Sequence, residues 1–211
     1  MLQPAQVQLF VLASLALLVV PGPAVLYIVA RSVSQGRLAG VVSAAGVQVG
    51  ASVHIVAAAL GLSAVLLSSA LAFNVVKYLG AAYLIYLGVR QWLARESATG
   101  EMAVPLESLR RIFAQGVVVN VLNPKTALFF FAFLPQFVDP ASGNVAAQVL
   151  LLGLLFVTLA VINDGAYALL AGSLGNWLRS NRRFWVGQRL FAGAVYVGLG
   201  VTTALSGSNN Y

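Results

Sequence analysis

Three ionisable side chains, His54, Lys125 and Asp164, lie within long apolar runs of this chain. At the centre of a bilayer each costs about 2.5–3.5 kcal/mol on insertion scales, so such groups face a cavity or a partner. The Lys125 ammonium can bind a carboxylate, pair with Asp164, or rest on carbonyls left free by the adjoining Pro124. Asp164, between Asn163 and Gly165, can take an amino group, accept a proton, or serve as a structural ion-pair partner. The His54 imidazole suits proton coupling near neutral pH, and equally a plain hydrogen bond to a neighbouring helix.

Uncharged groups join them. Asn120 and Asn123 are three residues apart, on one helix face, and amides can ligate an ammonium or a carboxylate without an ionic desolvation penalty. Gln48 stands between Gly46 and Gly50. Small residues let membrane helices approach closely, so Gln48 either lines a site or ties two helices together. Lys77 is expected to snorkel to an interface, and the run Phe129–Phe131 to face lipid and pack the core.

Two interruptions flank these residues: Pro21-Gly22-Pro23, and Pro124 after Asn123. Proline removes a backbone donor and clashes with the carbonyl one turn earlier. In lipid the freed groups need protein or trapped water around them. A half-helix starting after Pro23 or Pro124 would present free N–H groups and partial positive charge, for which a carboxylate is a natural ligand. The plainer alternative is a pair of kinks that only aid packing.

Other chemistry is poorly provided for. There is no cysteine, so no disulfide relay, thiolate metal site or thiol nucleophile. One histidine and five acids make a multi-ligand metal centre improbable, and no cofactor is implied. No Gly-x-Ser-x-Gly elbow occurs and the single histidine is early, which argues against an intramembrane protease.

The elements that must position these residues are membrane helices. Of 211 residues 60% are hydrophobic and 8% charged, against about a quarter charged in an ordinary soluble domain; mean hydropathy is +0.92. The first thirty residues carry no basic stretch, so the first apolar segment is expected to be a retained helix and not a signal peptide. Residues 38–76 hold no formal charge; one helix of that length would be roughly 58 Å long, too long for a core of about 30 Å. It is expected to break near Ser68, Ser69 and Asn74. The expectation is an all-α polytopic membrane protein, a single transport domain over 1–211. Its six spans lie near 8–29, 39–66, 71–92, 112–137, 146–174 and 190–205. A polar turn is expected at 31–37 and a short interfacial helix near 105–113.

Charge sets the orientation. Ten of the twelve basic residues fall in the connections after spans one, three and five, and the other connections and both tails hold none. The positive-inside rule then puts those connections in the cytoplasm and both termini outside. The net charge of +7 thereby anchors topology at an anionic leaflet, and nucleic acid is not an expected partner. Two halves of three spans each must be oppositely oriented, and each opens with a proline-broken helix, spans one and four. Matching breaks in inverted halves are the pattern of a midplane transport site.

With these residues in place, the chain resembles the LysE/RhtB amino-acid exporter family. The resemblance rests on Pro21-Gly22-Pro23, Val53-His54, Leu60-Gly61-Leu62-Ser63 and the stretch Lys77 to Leu84. It is strongest over Asn120-Val121-Leu122-Asn123-Pro124-Lys125 and on from Phe129 through Leu134-Pro135-Gln136-Phe137. It covers nearly the whole chain in order. It implies proton-driven secondary export of amino acids or derivatives across the bacterial inner membrane, in a branch handling homoserine, homoserine lactone, threonine or leucine. Some members carry an acid in the second helix where this chain offers Gln48 and His54, which weighs against cationic substrates. The substrate-binding candidates are Pro21, Gly22, Pro23, Gln48, Asn120, Asn123, Pro124 and Lys125; Asp164 and His54 are the candidates for proton coupling or ion pairing. Partners would be a small amino acid, protons, the lipid bilayer, and in assembly a homodimer. A cation or metal exporter of related architecture and a non-transporting membrane scaffold are the competing readings.

Overall fold

The computed structural model describes residues 4–68, 70–93, 106–180 and 182–205, and every regular element among them is helical. The first is α1, Pro4–Val19; after Pro21-Gly22-Pro23 the chain resumes as α2, Pro23–Gln35, bent by 50° from α1. The helix therefore runs through Arg31, where a polar turn was expected. Nothing between Ala24 and Gln35 breaks a helix, and the stop comes only at Gly36, whose φ of 86° favours glycine.

From Arg37 to Ser68 runs α3, and from Ala70 to Leu93 α4. Helix α3 is described to Ser68 and α4 from Ala70, and residue 69, beside which the break was expected, is itself outside the described residues. So are residues 94–105 and the side chain of Lys77. Next is α5, Leu109–Val121, its first turn capped by the Ser108 hydroxyl, which accepts from the Arg111 amide at 3.4 Å. Residues 109–113 are the opening turn of this long element, not an interfacial helix of their own.

Past Asn123 come α6, Pro124–Leu128, a wide π turn over Phe129–Phe133, and a tight 3₁₀ turn over Leu134–Phe137. Pro135 has no N–H to give to the carbonyl one turn back, and its ring crowds that carbonyl. The preceding turn loosens in response, and the Leu134 amide reaches back to Phe129 O. A loop with a 3₁₀ turn at Pro140–Ser142 follows. Its Asp139 carboxylate accepts from the Ser142 hydroxyl and the Ala141 amide, and these bonds hold the carboxyl below its usual range. Then α7, Val145–Ser180, and α8, Arg182–Leu205, complete the fold. Both are longer than the apolar runs alone suggest, because the flanking arginine-rich residues carry no breaker and stay helical.

Among the described residues two helical segments, Arg37–Gly61 and Val145–Ser173, are long and apolar enough to cross a membrane, and up to four spans result if each bent pair counts as one. Packing interleaves the two halves of the chain. Helix α3 lies against α5 and α7, α4 against α8, and α2 against α3, α5 and α7. The α3–α5 seam is backbone on backbone. A Cβ at Gly46 would collide with the Phe113 carbonyl, and one at Gly50 would stand 2.6 Å from Val117 O, so the small-residue stretch serves the close approach it suggests. On the side of α1 and the π turn, Phe10, Phe129, Phe130, Phe133, Phe137 and Phe156 form a ring cluster with centroids 4.7–5.7 Å apart. Phe129 and Phe130 are fully inside while Phe131 points outward, so the run divides between the two environments named for it.

Candidate functional site

The first break leaves carbonyls that no helical amide can reach. Val20 N covers Leu17 O at 3.2 Å. The next three are met from the other half of the chain. Asn163 Nδ2 donates to Leu18 O at 3.2 Å, the Tyr167 hydroxyl to Val19 O at 2.8 Å, and Lys125 Nζ to Val20 O. Lys125 does rest on a freed carbonyl, that of Val20 before Pro21. The other lip of this break is the start of α2. Its cap, Gly22, is extended (φ −106°, ψ −169°) and brings no side chain to the helix. Pro23 has no N–H, and the first helical bond runs from Leu26 N to Gly22 O at 3.0 Å. The amides of Ala24 and Val25 therefore begin a helix that offers them no acceptor.

The second break is closed mostly by side chains beside it, with Val47 and His54 of α3 joining at Asn120. Asn123 Oδ1 caps α6 by accepting from Lys125 N at 3.1 Å. Asn120 Oδ1 accepts from Asn123 Nδ2 at 3.1 Å and from Thr126 Oγ1 at 2.8 Å, and Asn120 Nδ2 donates to Val47 O at 2.7 Å. The Asn120 carbonyl takes the Asn123 amide at 3.0 Å and lies 2.9 Å from His54 Nε2. A carbonyl only accepts, so Nε2 carries a proton there.

Across from Lys125, Asp164 on α7 is 4% exposed. Gln48 Nε2 donates to its Oδ2 at 2.7 Å and Asn163 Nδ2 to its Oδ1 at 3.1 Å. These groups share one cavity of about 40 Å³, lined among others by Gly22, Gln48, Asn120, Asn123, Lys125 and Asp164, with Phe156 in its apolar wall. Pro21, Pro23 and Pro124 frame it without lining it, by ending and restarting the helices. His54 is buried behind it, edge-on to Phe131 at 6.2 Å, and does not line it. Thr126, Asn163 and Tyr167 belong to this arrangement and were not singled out by sequence for these contacts. Polar residues at 163 and 167, one helical turn apart beside an intramembrane acid, were the available signal. Among the described residues, no three acids or histidines gather as a metal would need.

An all-helical membrane protein whose charged and amide side chains converge where two helices are broken is, by class, a solute transporter. The model of the LysE type translocators matches residues 15–207, and the chain belongs to that family; it is a transporter and not an enzyme. It is 32% identical over 195 residues to the homoserine/homoserine lactone efflux protein of Salmonella typhimurium, covering 92% of this chain and 94% of that one. An uncharacterised membrane protein of Vibrio cholerae is likewise 32% identical over 195 residues, covering 92% of this chain and 94% of its own length. A leucine efflux protein of Salmonella choleraesuis is 30% identical over 147 residues, 68% of each chain. No solved structure matches.

Proposed function

We propose that this translocator is a secondary active exporter of small amino acids or close derivatives, homoserine-, threonine- or leucine-like, coupled to protons in the bacterial inner membrane. Its six spans form two inverted three-helix repeats, with the arginine-bearing connections in the cytoplasm and both termini periplasmic. The relatives named for homoserine and leucine efflux support the substrate class. The ten basic residues confined to alternate connections support the orientation.

One observation carries the reading: Lys125, Asp164 and the uncapped start of α2 border the same cavity. A zwitterion needs a positive and a negative end within a few ångströms. Its carboxylate would meet the Ala24 and Val25 amides and the Lys125 ammonium. Its amine would meet Asp164, displacing the Gln48 or Asn163 amide. About 40 Å³ holds only a few water molecules, so this is a contracted form, and binding requires the helices around α2 to part. Asp164 carries the proton in this scheme. His54 bonds the Asn120 carbonyl and helps to hold the second break.

The test is counterflow of radiolabelled homoserine, threonine and leucine in proteoliposomes, with and without an uncoupler. Lys125→Ala and Asp164→Asn should each lower the rate about ten- to a hundredfold, the worth of a charge-assisted hydrogen bond or two. Pro124→Ala, which restores a donor to the second break, should lower it less. Unchanged counterflow in all three would remove the site, and accumulation unaffected by the uncoupler would remove the proton.

A further inference from the structure

One face of α2 is polar for three successive turns below the cavity. Tyr27, Arg31 and Gln35 are spaced by four residues and all reach the start of α5. The Tyr27 hydroxyl donates to Ile112 O at 2.7 Å and lies 3.2 Å from Gln115 Oε1. Arg31 donates to that same Gln115 Oε1 at 2.7 Å and to Gln35 Oε1 at 3.1 Å, with its guanidinium 5.7 Å from the Tyr27 ring centre. Gln35 exchanges two bonds with the Glu107 backbone, at 2.8 and 3.0 Å. Arg31 is only 6% exposed, so it is far more than a topology anchor at a helix end.

The seam differs in kind from its neighbours. Helices α3 and α5 meet backbone to backbone at Gly46 and Gly50 and cannot part without opening voids. The other side of the cavity is closed by apolar side chains, Leu17, Leu18 and Phe156 among them, which gain nothing from water. The α2–α5 seam is made of side-chain hydrogen bonds, each replaceable by a bond to water at small net change. Moreover α2 lies between two joints, the Pro21-Gly22-Pro23 break and Gly36 at φ 86°.

We propose that the Tyr27–Arg31–Gln35 face of α2, latched to Glu107, Ile112 and Gln115, is the cytoplasmic gate of the transport pathway. Opening exchanges the latch for water and exposes the cavity to the cytoplasm, and closing restores it. The side of opening rests on the orientation proposed above, whereas the gate itself does not depend on which solute is carried.

The absence of cysteine makes a direct test clean. A reporter, Ala51→Cys in the cavity wall, is labelled by a membrane-impermeant maleimide from either face of oriented vesicles. Adding Gln115→Ala should speed labelling from the cytoplasmic face about tenfold, and Gln115→Glu, which gives Arg31 a carboxylate, should slow it by a similar factor. The two variants are expected to act with opposite sign, which a general loosening of the fold does not produce. Labelling from the outer face should not accelerate in either. Equal labelling in all three proteins, or acceleration confined to the outer face, overturns the gate. This readout needs no substrate, so it stands or falls separately from the counterflow test.

Discussion

The two helix breaks look alike in sequence and are completed in different ways. At the second, Asn120, Asn123 and Thr126 answer one another within six residues, and Asn123 caps the helix that follows. At the first, the freed carbonyls of Leu18, Val19 and Val20 are met by Asn163, Tyr167 and Lys125 from far along the chain, and the following helix has no side-chain cap. A break closed mainly by its own side chains is a scaffold. A break whose carbonyls are met from the opposite half, and whose amides face a cavity, can bind a ligand and register the relative position of the two halves.

That contrast can be broken from either side. The largest effect should come from Asn120→Ala, which strips three side-chain bonds from the second break. At about 0.6 kcal/mol per hydrogen bond in a membrane protein, it should lose about 2 kcal/mol of stability. Unfolding in detergent measures this, and a loss in transport with no loss in stability would make the second break a binding element after all. Next, Gly22→Asn gives α2 the kind of cap that α6 already has. At the extended φ of Gly22 any residue is accommodated. Transport should slow about tenfold, which corresponds to about 1.4 kcal/mol, with stability unchanged or slightly raised. Normal transport with a raised Tm would show that no ligand uses those amides. The reciprocal change, Asn123→Ala, should cost about 1 kcal/mol of stability; a change in substrate affinity beyond that would blur the division. The smallest effect belongs to Tyr167→Phe, about 0.6 kcal/mol for one bond to Val19 O, read as a small fall in the unfolding midpoint.

Both breaks were legible because proline's effect is local and needs no partner to be known. The convergence of Lys125, Asp164, Gln48, Asn120 and Asn123 was legible in outline, since polar groups in apolar helices must find one another. Their pairings were not. Whether the Lys125 side chain turned toward Pro124 or toward Val20 depends on the register between distant helices, which no spacing along one helix reveals. The partner of Tyr167, Val19 O, was hidden for the same reason, although its place one turn after Asn163 was not. Arg31 read as a loop anchor because an arginine near the end of an apolar run normally is one. The helix in fact continues past it to Gln35, and Arg31 turns inward onto Gln115. The glycine seam of α3 was readable as a close approach, but not that α5 was its partner.

Lastly, the three carbonyls before Pro21 find their donors 105, 145 and 148 residues further on. During synthesis, α1 and α2 reach the translocon long before Asn163 and Tyr167 have been made. Until then the kink must be sheltered by water or by the insertion machinery, since acyl chains offer it nothing. Nascent chains arrested before residue 163 should hold α1 and α2 loosely in the bilayer, and release of the finished α7 is the moment at which this broken pair becomes committed to it.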